Sequence, residues 1–275
     1  MSVVDSCQIT GTGHGIGREL ALQFSRLGAR VVCVDLNEEA NKQTVAQITK
    51  EGGTAWGFGC DVSKREEVKD VSNKASKIRR QIGDITILLN NAGIVLCKPF
   101  IKHSDEDIEK TFRVNVYAHY WTIQEWLPTF LKKGQGHIVS VSSLCGVSGL
   151  PNLVPYCSSK FAVTGSLNNC IVGLIEALNE ELRIQNPNVK LTRVHPFHVN
   201  TGIIKSPRVR FSSFTKIMTP EYCASKIVDG VRREDEVLVV PTYYSYFFTF
   251  FLSAPRKVQQ AIADFLDVGA DSHED

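Results

Sequence analysis

The sequence predicts an α/β chain: a doubly wound parallel sheet of seven strands with helices on both faces. Three observations carry this expectation. Short apolar runs alternate with longer amphipathic segments along most of the 275 residues. A glycine cluster stands between the first strand and the first helix. The composition, 43% hydrophobic and 22% charged, supplies a core for one domain of this length. Residues 1–275 are therefore read as a single domain, with 242–275 as an apolar, helical C-terminal extension.

The first strand, Val3 to Thr10, is a weak one, because Asp5, Ser6 and Gln8 interrupt it. Thr10-Gly11-Thr12-Gly13-His14-Gly15-Ile16-Gly17 follows, then a helix from Arg18 to Leu27. Glycines in this place let the backbone turn tightly and let a pyrophosphate approach the helix N-terminus. This context is the one expected of the dinucleotide-binding turn of a Rossmann fold, the alternative being a glycine-rich turn with no ligand; His14 within it reads as a loop residue. The second strand, Gly28 to Asp35, ends on an acid about 20 residues past the glycines, where a carboxylate suits a ribose 2′-hydroxyl and repels a 2′-phosphate. Asp35 thus favours NAD over NADP. Its other available role is to cap the next helix, Glu38 to Glu51.

Thr54 to Cys60 forms strand three, ending at Asp61-Val62, and Ser63 caps a charged helix that reaches about Ile82. Asp84 to Leu89 is strand four and runs into Asn90-Asn91-Ala92-Gly93, residues small enough for a cofactor ring to approach the backbone. Ser104 and Asp107 mark a helix N-terminus. That helix runs to about Lys132 and carries Asn115, a polar group amid apolar neighbours that needs partners.

Strand five, Ile138-Val139-Ser140-Val141, leads to Ser143, and a helix follows from the Tyr156 region to about Gln185. Tyr156 and Lys160 share one helix face, one turn apart. A free phenol has a pKa near 10, and a neighbouring ammonium is expected to lower it. With Ser143 holding a substrate oxygen, the set suits acid/base chemistry on an alcohol or carbonyl. Val189 to His195 is strand six. Thr219 caps a helix with Pro220 in its first turn, and Glu236 to Val240 is strand seven. The loops carrying Gly11, Asp35, Asp61, Asn91, Ser143 and Val199 all fall at the carboxyl ends of strands, where such sheets bind ligands.

Charge and cysteine usage narrow the function. The formal net charge of +2 gives no basic field for nucleic acid. Cys7, Cys33, Cys60, Cys97, Cys145, Cys157, Cys170 and Cys223 contain no Cys-x-x-Cys, which fits reduced thiols in a cytosol-facing protein and no metal site. No signal peptide and no membrane-spanning apolar run is read. Tyr243 to Ser253 is too short to span, but its aromatics suit a membrane interface or a greasy pocket.

Thr10-Gly11-x-x-x-Gly15-x-Gly17, Asn90-Asn91-Ala92-Gly93, Asn115, Ser143 and Tyr156-x-x-x-Lys160 together resemble the short-chain dehydrogenase/reductase family over nearly the whole chain. Gly13-His-Gly-Ile-Gly17, Glu109-Lys-Thr-Phe-x-Val-Asn115, Gly136-His-Ile-Val139, Tyr156-Cys-Ser-Ser-Lys-Phe-Ala162 and Val199-Asn-Thr-Gly202 are similar to a subfamily of 17-beta-hydroxysteroid dehydrogenases 11 and 13 and epidermal retinol dehydrogenases. The resemblance implies Tyr156 as acid/base and Lys160 as the group that lowers its pKa and holds the nicotinamide ribose. Ser143 would bind the substrate oxygen, and Asn115 would support a water relay. Gly11, Ile16 and Gly17 would cradle the pyrophosphate, Asp61 and Val62 the adenine, and Val199 and Thr201 the carboxamide. It further implies NAD as cofactor, a lipophilic alcohol or ketone as substrate, a homodimer, and peripheral contact with endoplasmic reticulum or lipid droplets.

Departures from that pattern are expected to matter. The subfamily's apolar N-terminal anchor does not appear, and Phe197 stands where the wider family often has glycine. Ser166-Leu-Asn-Asn-Cys-Ile-Val-Gly173 is inserted after Lys160; read as helix it would turn the far half's face by about 80°, and otherwise it bulges out. The substrate loop is expected between Ile203 and Lys216, opposite Leu144 to Pro155. Rival readings are a sugar-nucleotide epimerase, for which the chain is short, and a lipid-droplet scaffold that binds NAD without turnover.

Overall fold

The computed structural model describes residues 6–165, 173–202, 207–208, 210, 217–267 and 269–270. Its strands are β1 (Ser6–Thr10), β2 (Arg30–Asp35), β3 (Thr54–Gly59), β4 (Ile87–Asn90), β5 (Gly136–Val141), β6 (Val189–Pro196) and β7 (Val237–Val240). They form one parallel sheet in the order β3-β2-β1-β4-β5-β6-β7. The order reverses between β1 and β4, and a crevice opens beyond the strand ends there, as doubly wound topology requires.

The polar first strand is central, not marginal. Every residue of β1 is buried, and β2 and β4 satisfy it on both sides. The Ser6 hydroxyl donates to the Ile82 carbonyl. Two paired edges and side-chain partners offset what low β-propensity costs.

Eleven helices cover the sheet among the described residues: α1 (Gly15–Arg26), α2 (Glu38–Lys50), α3 (Arg65–Lys77), α4 (Arg79–Ile82), α5 (Asp105–Phe112), α6 (Ala118–Lys133), α7 (Val154–Thr164), α8 (Leu174–Gln185), α9 (Pro220–Arg233), α10 (Tyr243–Ser253) and α11 (Arg256–Leu266). One core joins β1 and β2 to α1 and α9 through Leu20, Phe24, Ile227 and Val231. The other buries Val68, Trp126, Phe130 and Leu182 on the opposite face.

Several local expectations are borne out. Ser104 and Asp107 form a capping box, and the Thr219 hydroxyl accepts from the Tyr222 N–H at 3.2 Å. Others are corrected. The cap of α2 is Asn37, which accepts from Ala40 N–H at 3.1 Å, and not Asp35. Ser63 does not cap α3; its hydroxyl donates to Asp61 at 2.6 Å. The long helix expected from the Tyr156 region to Gln185 is two helices. α7 stops at Thr164, and the Gly165 φ of 73° turns the chain out. α8 starts after Gly173, whose backbone lies so close to Gly165 that no Cβ fits between them. The rest of the insert, 166–172, lies outside the described residues, as does most of the expected substrate loop. Pro207–Arg208 pairs antiparallel with Gly269–Ala270, and Arg210 N–H donates to the Leu266 carbonyl at 3.2 Å, which ties that loop to the end of α11.

Candidate active site

The glycine turn is built by close backbone approach. A Cβ on Gly17 would collide with the Gly11 carbonyl, so α1 can begin directly against the end of β1. Its cap residue, His14, makes no side-chain capping bond, and the first turn holds no acid. The free N–H groups and dipole of α1 therefore face an open crevice, the condition for holding a phosphate. This crevice has a volume of about 340 Å³ and is bordered at this end by Gly11, Gly15, Ile16, Asn91, Ala92 and Gly93. The bare helix end, the glycine cradle and the crevice fit a dinucleotide.

Asp35 braces the turn. Its two carboxylate oxygens accept from Gly13 N–H and Asn37 N–H, both at 2.8 Å. Asp61 accepts from Ser63 N–H at 3.0 Å, and Val62 is buried. Asp35 is the last residue of β2, Asp61 and Val62 follow β3, and none of the three lines the crevice wall. Across the crevice, Thr201 stands 3.1 Å from where a Cβ of Gly15 would be. Val199 is bridged to Met218, and both Val199 and Thr201 line the wall.

Asn91 ties the floor to β1: its amide nitrogen donates to the Thr10 carbonyl at 2.9 Å, while the Thr10 hydroxyl accepts from Asn91 N–H and Ala92 N–H. Asn115 lies in a π-helical turn, Arg113–Tyr117, between α5 and α6. That bulge aims its fully buried amide inward. Oδ1 accepts from Ile94 N–H at 2.9 Å, and Nδ2 donates to the Ile94 carbonyl at 3.0 Å and to Ser159 at 3.1 Å. A Cβ on Gly93 would lie 3.3 Å from Asn115 Oδ1 and 3.4 Å from Lys160 Nζ, so both groups converge on one small space.

Ser143 ends the loop after β5, where its hydroxyl accepts from Cys145 N–H at 3.1 Å and hydrogen-bonds the Tyr156 phenol. The structure thus brings Ser143, Tyr156 and Lys160 together, as the sequence spacing requires. It does not place the ammonium against the phenol oxygen. Lys160 Nζ lies 5.7 Å from the Tyr156 ring centroid and donates to the Val141 carbonyl at 3.1 Å. Burial, with a contribution from the Cys145 thiol, raises the Tyr156 pKa, and only the Ser143 hydrogen bond opposes it. The expected lowering by Lys160 is therefore corrected: with the lysine held by a carbonyl, desolvation of the phenolate wins. Burial also brings Lys160 down to about 8. It keeps its proton at neutral pH and sheds it readily above.

The far end of the crevice is apolar. Leu144, Leu150, Leu153, Phe197, Tyr244, Phe247, Phe251 and Leu266 line it. Phe197, the residue after Pro196, packs against Tyr244 with ring centroids 4.7 Å apart and planes tilted by 43°. Sequence reasoning anticipated the aromatics of Tyr243 to Ser253, Tyr244 and Phe247 among them, but not Phe197 or Leu266 as wall residues. Nor did it place His14 and His198 on the lining, since neither belongs to a spaced pattern.

Residues 6–209 match the sequence profile described as short chain dehydrogenase. The chain belongs to that family. Epidermal retinol dehydrogenase 2 of Mus musculus is 39% identical over 263 residues, 94% of this chain and 81% of that protein. Estradiol 17-beta-dehydrogenase 11 of Homo sapiens is 37% identical over 250 residues, 90% and 79% respectively. Among solved structures, a short chain dehydrogenase/reductase of Burkholderia phymatum in complex with NAD superposes with a TM-score of 0.78 at 23% identity, covering 90% of this chain and 94% of its own. As a short chain dehydrogenase the chain is an NAD(P)-dependent oxidoreductase. The expected fold and family are borne out, and the scaffold reading is not favoured.

Proposed function

We propose that the protein transfers a hydride between NAD and the CH–OH group of a lipophilic alcohol of retinol or hydroxysteroid type. The observation that carries this is the single crevice running from a bare helix N-terminus, past Ser143 and Tyr156, into an aromatic and aliphatic wall. When bound, the nicotinamide supplies the hydride acceptor or donor. Gly11, Gly15, Ile16 and Gly17 would hold the pyrophosphate through backbone N–H groups, Asp61 and Val62 would border the adenine, and Asn91, Ala92 and Gly93 would form the floor. Val199 and Thr201 hold the carboxamide from the opposite side.

The Ser143 hydroxyl holds the substrate oxygen, and the proton moves at the Tyr156 hydroxyl, which shares a hydrogen bond with Ser143. Lys160 binds the ribose and stands ready to recharge the phenol, with Asn115 Oδ1 and the gap beside Gly93 giving a water its place between them. Tyr156→Phe removes the hydroxyl that this reading assigns to the proton transfer. It should lower kcat on retinol or a hydroxysteroid by about 10²–10⁴-fold with folding intact; equal rates for both forms would reject the assignment.

We read NAD as the preferred cofactor because the Asp35 carboxylate ends β2, where the adenosine ribose of a bound dinucleotide would lie and a 2′-phosphate would bring like charge against it. Asp35→Asn should shrink the NAD over NADP preference about tenfold; its amide has one acceptor oxygen, so it keeps only one of the two braces, on Gly13 or on Asn37. A wild-type preference for NADP would overturn this reading.

Contact with a lipid surface is proposed through α10 and α11. Tyr246 is 82% exposed and Phe250 70%, beside the pocket mouth. No helix among the described residues is long and apolar enough to cross a membrane. Flotation with neutral phospholipid vesicles should carry wild type and leave Tyr246→Ser/Phe250→Ser behind. The homodimer that the family resemblance implies is proposed with it; sedimentation velocity without vesicles should give a dimer, and a monomer would overturn that part.

A further inference from the structure

Two thiols stand beside the Ser143–Tyr156 pair and take no part in that reaction. Cys145 lies in the helical turn Leu144–Gly146 and lines the crevice; among the described cysteines it alone is not buried. Cys157 follows Tyr156 on α7, in a small apolar cluster with Cys97 and Leu153 on which Cys145 and Tyr156 also pack. The Cys145 and Cys157 side chains hydrogen-bond each other. By contrast, Cys7, Cys33 and Cys223 lie fully buried in the sheet core.

The geometry points to Cys145 and Cys157 as an oxidisable pair whose disulfide switches the active site off. A peroxide supplies the oxidising equivalents. The Cys145 sulfur attacks one peroxide oxygen, the O–O bond breaks, and the thiol proton leaves on the departing oxygen as water, so that Cys145 becomes a sulfenic acid. The Cys157 sulfur then attacks the Cys145 sulfur. The S–O bond breaks, and a second water carries away the Cys157 proton. Two thiols and one hydrogen peroxide give one disulfide and two waters, and a dithiol reverses the change.

The link acts on catalysis through position. A disulfide holds its sulfurs about 2.05 Å apart, roughly 1.5 Å closer than two sulfurs in non-bonded contact. Cys145 N–H holds the Ser143 hydroxyl, and Cys157 is bonded in the chain to Tyr156. Closing the gap must draw the serine loop toward α7 or turn the start of α7. A misplacement near 1 Å in such a site is worth up to about 100-fold in rate.

The test treats the full-length protein with hydrogen peroxide, then maps disulfides by mass spectrometry under non-reducing digestion and follows oxidation of retinol or a hydroxysteroid. A Cys145–Cys157 peptide should appear, turnover should fall at least tenfold, and dithiothreitol should restore both. Cys157→Ala and, in case it folds poorly, Cys157→Ser should each form no such link, and Cys145 should then be trapped by dimedone as the sulfenic acid. A link from Cys97, or sulfinic acid at Cys145 with no link in the wild type, overturns the pairing. A linked protein that keeps its rate overturns the switch. The mapping arm needs no substrate, so its failure is separable from failure of the dehydrogenase reading.

Discussion

The two ends of the crevice are made in opposite ways. At the glycine end the wall is backbone, and side chains serve to fix it: Thr10, Asp35 and Asn91 spend their hydrogen bonds on neighbouring N–H and carbonyl groups. At the aromatic end the wall is side chain, drawn from the turn after β5, the end of β6 and two C-terminal helices far apart in sequence. The first end tolerates almost no added atom; the second is a surface of contacts, each replaceable at modest cost. Specificity for the shared cofactor thus rests on geometry, and specificity for the substrate on packing.

The sharpest way to break that contrast is at Gly17. Gly17→Ala places a Cβ on the Gly11 carbonyl and should weaken NAD binding more than about 100-fold by calorimetry, or some 2.7 kcal/mol. Undiminished binding would mean the crevice is not the dinucleotide site. At the other end, Tyr244→Ala removes a partner of Phe197. Losing 1–2 kcal/mol of apolar contact should raise KM for the lipophilic alcohol about tenfold and leave KM for NAD within about twofold. A matching rise for NAD would blur the two ends into one.

Between the ends sits Lys160, and its test is one of stability. Its folded pKa, about 8, lies below the ordinary 10.5. Between those values the unfolded chain holds a proton that the folded one has lost, so stability should rise as pH goes from 8 to 10.5. Below 8 the cost of the buried charge is at its full value. Lys160→Met should therefore raise Tm at pH 7 by about 2–4 °C, with the gain shrinking toward pH 10 in calorimetric scans. A gain that is the same at both pH values would show that Lys160 is not strained by burial.

What the sequence revealed follows the same division. Gly11, Gly15, Gly17, Ser143, Tyr156 and Lys160 stand at spacings that backbone geometry enforces, and the structure gathers them as the spacing requires. The reach of Lys160 was not legible: a one-turn separation places two side chains on a face, but the Val141 carbonyl decides where the ammonium points. Phe197 and Leu266 share no period with the aromatic stretch, so only the packing of α10 against β7 and the place of α11 along the crevice bring them to one wall. The polar β1 misled because propensity counts residues one at a time, whereas a central strand is held by both neighbours.

The contact between Gly165 and Gly173 has a practical consequence. A stretch of chain whose two ends touch is a detour: α7 hands over to α8 at one point, whatever peptide is strung between. Shortening the detour, or threading a reporter tag through it, should leave the sheet and the residues ahead of Thr164 undisturbed. The break in this helix is thus a natural port for cargo.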